Sequence, residues 1–155
     1  MRKFLSVAGC FAAVAATGIA FAPAANAGGF GCSGALIDTY AVNLPISSQS
    51  PIHVSTINLY YDASTGRNCA SNVKTSGGGL GQSTYMQVSI DRCVAGSTPG
   101  YRCTIDDDDY DGGYFKTYAG PVSVNASGRC ISLFAETFTP NGEHGDVHRN
   151  ATHCG

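Results

Sequence analysis

Residues 105–120, IDDDDYDGGYFKTYAG, set five aspartates within seven positions and then turn to glycine and aromatics. Asp107, Asp109, Asp111 and Gly112 fit the D-x-D-x-D-G opening of a calcium loop. Such a loop takes oxygens from positions 1, 3 and 5, turns on a glycine at 6 and closes with a bidentate carboxylate at 12. Counted from Asp107, position 12 is Tyr118, so the strongest ligand is missing. A β-hairpin could still gather Asp107, Asp109 and Asp111 around one ion, with backbone carbonyls completing the shell. The competing reading is a solvated turn whose like charges repel and keep a loop tip wet and unaggregated.

Three histidines, His144, His148 and His153, crowd the last twelve residues. The spacing of the first two would serve a zinc ion on a helix. Gly142, Gly145 and the strand pattern around Val147 argue against a helix, and on a strand positions 148 and 153 face opposite sides. Exposed strand and loop histidines are expected instead, with His53 at the surface. No G-x-S-x-G elbow is present for a serine hydrolase. The only glutamates, Glu136 and Glu143, give a poor glycosidase pair. Glu136, His148 and Arg149 could form the base, acid and phosphate clamp of a ribonuclease, which the acidic balance disfavours. The expectation is a protein without catalysis and without a cofactor, calcium at the acidic run being the one candidate.

The elements that position these residues begin after an export signal. Arg2 and Lys3 precede an apolar run from Phe4 to Phe21 that ends at Ala25-Asn26-Ala27, which is the pattern of a cleaved leader. Val7-Ala8-Gly9-Cys10 resembles a lipoprotein cleavage site but comes too early for the apolar region a signal needs. Residues 1–27 are therefore expected to be removed, leaving 155 − 27 = 128 residues, 28–155, as one secreted domain. No other stretch is apolar enough to span a bilayer. Beyond residue 27, seven Lys/Arg face eleven Asp/Glu, 7 − 11 = −4 with neutral histidines. The cations are scattered singly, which excludes the clustered basic face that nucleic acid requires.

Outside the leader the hydrophobic pattern has a period of two. Met86, Val88 and Ile90 share one face; so do Ile57, Leu59 and Tyr61, Val122 and Val124, and Ile131, Leu133 and Ala135. Turn residues separate these runs, at 62–66, 76–79, 96–100, 111–113, 125–128 and 140–142. The fold class is all-β: a small antiparallel sandwich or barrel of hairpins joined in sequence, stabilised by disulfides. Six cysteines remain, Cys32, Cys69, Cys93, Cys103, Cys130 and Cys154, without the C-x-x-C pairs of a metal cluster. Consecutive antiparallel strands bring the start of one beside the end of the next. Cys93 then staples to Cys103 across one hairpin, Cys130 meets Cys154 at a shared end, and Cys32 meets Cys69 at the ends of a three-strand meander.

Two segments, Leu59-Tyr60-Tyr61-Asp62-Ala63-Ser64-Thr65-Gly66-Arg67-Asn68-Cys69 and Tyr114-Phe115-Lys116-Thr117-Tyr118-Ala119-Gly120-Pro121-Val122-Ser123-Val124, the latter followed by Gly128-Arg129-Cys130, resemble the actinobacterial spore-associated protein A family. The terminal His153-Cys154-Gly155 fits as well. Cys93, Cys103 and the loop between them look like an addition to the family pattern, which shares the four outer cysteines. The resemblance implies a small non-enzymatic protein, secreted and associated with the spore or cell surface, with no catalytic residues to carry over. The alternative is an extracellular binding module for a surface polysaccharide or protein, dependent on calcium through the acidic run. Partners are then cell-wall or spore-surface polymers. Exposed tyrosines clustered beside the acidic run would favour the module; scattered ones would favour a passive component.

Overall fold

The structure, a computed structural model, describes residues 28–46 and 50–155. Residues 1–27, with Cys10 and the expected leader, and residues 47–49 lie outside the described part. Eight strands follow in chain order: β1 (Ala35–Leu44), β2 (Ile52–Asp62), β3 (Arg67–Lys74), β4 (Thr84–Cys93), β5 (Ile105–Phe115), β6 (Tyr118–Asn125), β7 (Ile131–Phe138) and β8 (His144–Thr152). One short 3₁₀ turn, Ser76–Gly78, sits between β3 and β4. All pairings are antiparallel, in the order β5-β4-β7-β8-β1-β2-β3-β6, and the sheet curls until β5 packs against β6. The result is a nearly closed barrel, as the all-β reading expected.

The alternating runs do what a period of two requires. Val42, Ile57, Leu59, Met86, Val88, Ile90, Ile131, Leu133 and Ala135 point inward and are at most 1% exposed. Burying each large aliphatic chain contributes about 1.5–3 kcal/mol. Tyr61 departs from its expected row: it is half-buried, and Tyr60 on the opposite face is buried instead, against the Cys32–Cys69 bridge. The disulfide gives the outer face of β2 a dry patch of its own.

Three sets of neighbours follow the sequential pattern: β1-β2-β3, β4-β5 and β7-β8. The others do not, since β6 returns to β3 and β7 to β4. The expected turn at 111–113 lies inside β5, and the chain reverses at Lys116-Thr117. β3, the third strand of the expected meander, shows no alternating run because RNCASNVK is polar yet buried along nearly its whole length. Its inward Asn72 donates through Nδ2 to the carbonyls of Gln87 (3.1 Å) and Glu136 (3.2 Å) and to Thr137 Oγ1 (3.0 Å). Lys74, also buried, uses its ammonium on Gln82 O (3.0 Å), Thr84 Oγ1 (2.7 Å) and Phe115 O (2.8 Å). Burial pushes its pKa down. The Asn72 amide and the Lys74 ammonium are tolerated inside because each donates across the barrel, while Asn72 Oδ1 and Ser71 Oγ are buried without a partner among the described residues.

Three disulfides brace the barrel. Cys32 bonds Cys69 (S–S 2.05 Å), Cys93 bonds Cys103 (1.98 Å) and Cys130 bonds Cys154 (2.04 Å), the pairing that the hairpin geometry implies. The last two bridges pack together with Ala151 as a small cluster. At the junction of β8 and β1 a single residue pair, Asn43 with Asp146, joins the strands. A side chain at Gly145 would put its Cβ 2.5 Å from the Asn43 carbonyl oxygen, so only glycine permits that approach.

Candidate functional site

Strand β5 carries the acidic run and assigns each carboxylate a different duty. Cross-strand partners share a face, so Asp109 opposite Ile90 and Asp111 opposite Val88 point inward. There they meet β6, which pairs with β3 on its other side but has no ladder to β5. The Ser123 amide donates to Asp109 Oδ2 at 2.7 Å, and the Gly120 amide donates to Asp111 Oδ2 at 2.6 Å. Carboxylate oxygens thus stand where the carbonyls of a ninth strand would be. Pro121, between them, has no amide to satisfy. Unpaired edges are templates for aggregation, and inward-pointing charge is one way to block them.

The remaining acids work on the other side of the strand and at its start. Asp106 accepts from Arg92 Nε (2.7 Å) and from Arg129 Nη2 (2.6 Å), linking β4 to the segment before β7. These hydrogen bonds, Arg92 first and then Arg129, hold the Asp106 carboxyl below the usual range. Asp107 lies 3.4 Å from Arg92 Nη1. Asp107, Asp109 and Asp111, the expected calcium ligands, therefore sit on a strand rather than a loop, one on an arginine and two on backbone amides. Among the described residues no three His, Cys, Asp or Glu side chains come together at metal-binding range.

The outer face of β5-β4-β7-β8 is organised in rows by the strand register. One row runs Tyr114, Tyr85, Phe138, His144, and another runs Tyr110, Ser89, Phe134, His148. Between them lies a polar row, Gly112, Gln87, Glu136, Asp146. The rings touch: Tyr85 is edge-on to Tyr114 and to Phe138, both at 5.9 Å between centroids; His144 stacks on Phe138 at 4.8 Å, and His148 lies over Phe134 at 4.3 Å. Tyr110 reaches across Gly112 to set its hydroxyl 3.0 Å from that of Tyr85. A Cβ on Gly112 would collide with the Tyr110 hydroxyl, so the glycine makes room for that crossing. Tyr114 is 77% exposed and Tyr110 is 53% exposed. In the polar row Gln87 Nε2 donates to Glu136 Oε2 at 2.8 Å, and His144 Nε2 lies 3.6 Å from Glu136 Oε1.

Like charges face each other directly on this surface. Asp91 of β4 is opposite Asp108 of β5, and Glu136 of β7 is opposite Asp146 of β8, an arrangement that weakens a sheet. Desolvation first, and the Asp108 charge second, push the Asp91 carboxyl above its usual value. A raised acid pKa means that the folded state binds the proton more tightly. The penalty is absent below the unfolded value near 3.8 and fully present once pH exceeds the folded one. Asp91→Asn is accordingly expected to raise the unfolding midpoint at pH 7 and to change it little at pH 3, as thermal melts at the two pH values would show.

A second polar cluster lies on β1 and the chain's end. His153 Nε2 is 3.0 Å from the Tyr40 hydroxyl and 3.2 Å from Asp38 Oδ2, with the Arg149 guanidinium 4.8 Å over the Tyr40 ring. His153 is thus partly buried rather than free at the surface as expected. Asp38 is held below its usual pKa, chiefly by the Tyr40 hydroxyl, and burial raises that of Tyr40. Arg149 is drawn to Tyr40, while Glu136 and His148 belong to the aromatic face. The three histidines stack on or bond to three different partners. Alternation with Ile131, Leu133 and Ala135 already puts Phe134 and Phe138 on the outer face, but only the register sets them in rows with Tyr85 and the β8 histidines.

The chain is 30% identical to Spore-associated protein A of Streptomyces coelicolor over 111 residues, 71% of this chain and 64% of that protein. The resemblance to the spore-associated protein A family holds. The chain spans less than two thirds of the length of this curated relative. No family model matches the chain, and no solved structure matches it.

Proposed function

We propose that this chain is a secreted, non-enzymatic protein of the spore or cell surface, exported by residues 1–27 and acting as one oxidised domain. The similarity to Spore-associated protein A carries the reading. Three disulfides support it, because such bonds persist outside the reducing cytosol. The non-enzymatic part draws support from the His153 cluster. A proton relay uses one ring nitrogen for the orienting carboxylate and the other for the nucleophile. Here Asp38 and Tyr40 share Nε2.

The test is a producer culture separated into medium, vegetative wall and spores and probed with an antibody to residues 28–155. Enrichment on spores or wall is the expected result, and recovery in the medium alone would overturn the surface role. The alternative of a binding module gains from one observation: Tyr85, Tyr110 and Tyr114 cluster beside β5 instead of being scattered.

A further inference from the structure

Resting on that surface role, we infer that the outer face of β5-β4-β7-β8 binds a glycan bearing free amino groups, its sugar rings against Tyr114, Tyr85 and Tyr110 and its ammonium groups over the carboxylates between and beside them. Two features converge on this chemistry. Aromatic rings held in rows offer apolar faces with fixed geometry, suited to the C–H faces of sugars and to cations. The outward rows of this surface carry Asp91, Asp108, Glu136 and Asp146 and no lysine or arginine, the exposed Arg149 of β8 lying over the Tyr40 ring of β1 instead. A neutral sugar would leave the two directly opposed acid pairs uncompensated, and an anionic polymer would be repelled.

An amino sugar answers both features at once. Its ammonium nitrogen can lie over a tyrosine ring while donating to Glu136 or Asp146, and Gln87 adds an amide beside them. The site is open for a polymer, since the most exposed ring, Tyr114, stands at its edge. His144 and His148 bound the face on β8, and both would add positive charge if protonated. Affinity should fall as pH rises past the amine's own pKa.

The test is calorimetric titration of the oxidised, purified protein with a glucosamine hexamer, an N-acetylglucosamine hexamer and a lysine hexapeptide. Binding of the glucosamine hexamer well above the other two is expected. Tyr114→Ala should weaken it roughly threefold and the pair Glu136→Gln with Asp146→Asn roughly tenfold, as exposed ring and charge contacts would; unchanged far-ultraviolet spectra would establish that the variants fold. Equal binding of the acetylated hexamer would overturn the role of the carboxylates. Equal binding of the peptide would reveal plain cation exchange and overturn the glycan, and no binding of any ligand would overturn the site. Because these titrations use purified protein, a protein found on spores that fails them refutes this ligand alone, whereas a protein absent from spores that passes them refutes the surface role alone.

Discussion

Removal of the bridge between Cys32 and Cys69, by replacing both with alanine, is expected to cost about 4 kcal/mol, the largest loss of the three. A cross-link stabilises mainly by restricting the unfolded chain, in proportion to the logarithm of the loop it closes. The separations are 37 residues for this bridge, 24 for Cys130–Cys154 and 10 for Cys93–Cys103. Chain entropy then ranks them at about 3.8, 3.4 and 2.7 kcal/mol. The first bridge also holds down Tyr60, whose partners in its small buried cluster are these two cysteines. Losses of this size compare with the whole net stability of an ordinary domain, about 5–15 kcal/mol. Full reduction is therefore expected to unfold the protein. Urea midpoints of the three double-alanine variants would give the order, and a greater loss from the Cys93–Cys103 pair would refute it.

Asp109→Ala and Asp111→Ala should each destabilise the barrel by about 1.5–3 kcal/mol, the range for a hydrogen bond to a charged group. Each substitution strands a β6 amide, that of Ser123 or Gly120. The double variant opens an edge on both β5 and β6, so it should also self-associate through strand pairing. Size-exclusion chromatography of the folded double variant should show dimers or larger species. A monomer with wild-type stability would mean that the carboxylates are incidental to the seam. Asparagine at either position keeps a neutral acceptor and should lose less.

These two expectations mark what the sequence could and could not disclose. The period-two rows at 86–90 and 131–135 were legible because one side of each strand is dry and the other wet. Cysteine pairing was legible because hairpin ends adjoin. β3 was legible only through the meander and not through its pattern, because both of its faces are covered and the Asn72 amide and Lys74 ammonium are buried against acceptors across the barrel. The acidic run mimicked a loop for a physical reason: aspartates and paired glycines are poor strand formers, and it is the long ladder to β4, with two carboxylates taken up by β6 amides, that makes a strand of them. The outer aromatic face required the register, since alternation gives the side each ring takes but not which rings of neighbouring strands stand together.

Amide exchange at Gly120 and Ser123, followed by nuclear magnetic resonance with and without millimolar calcium, tests most directly whether the acidic run closes the barrel. Closure by Asp109 and Asp111 predicts that both amides are protected in the native protein, that each loses protection in the corresponding alanine variant, and that calcium leaves both signals in place. Rapid exchange at both positions in the native protein, or signals that move on addition of calcium, would show that these carboxylates serve an ion instead of the seam.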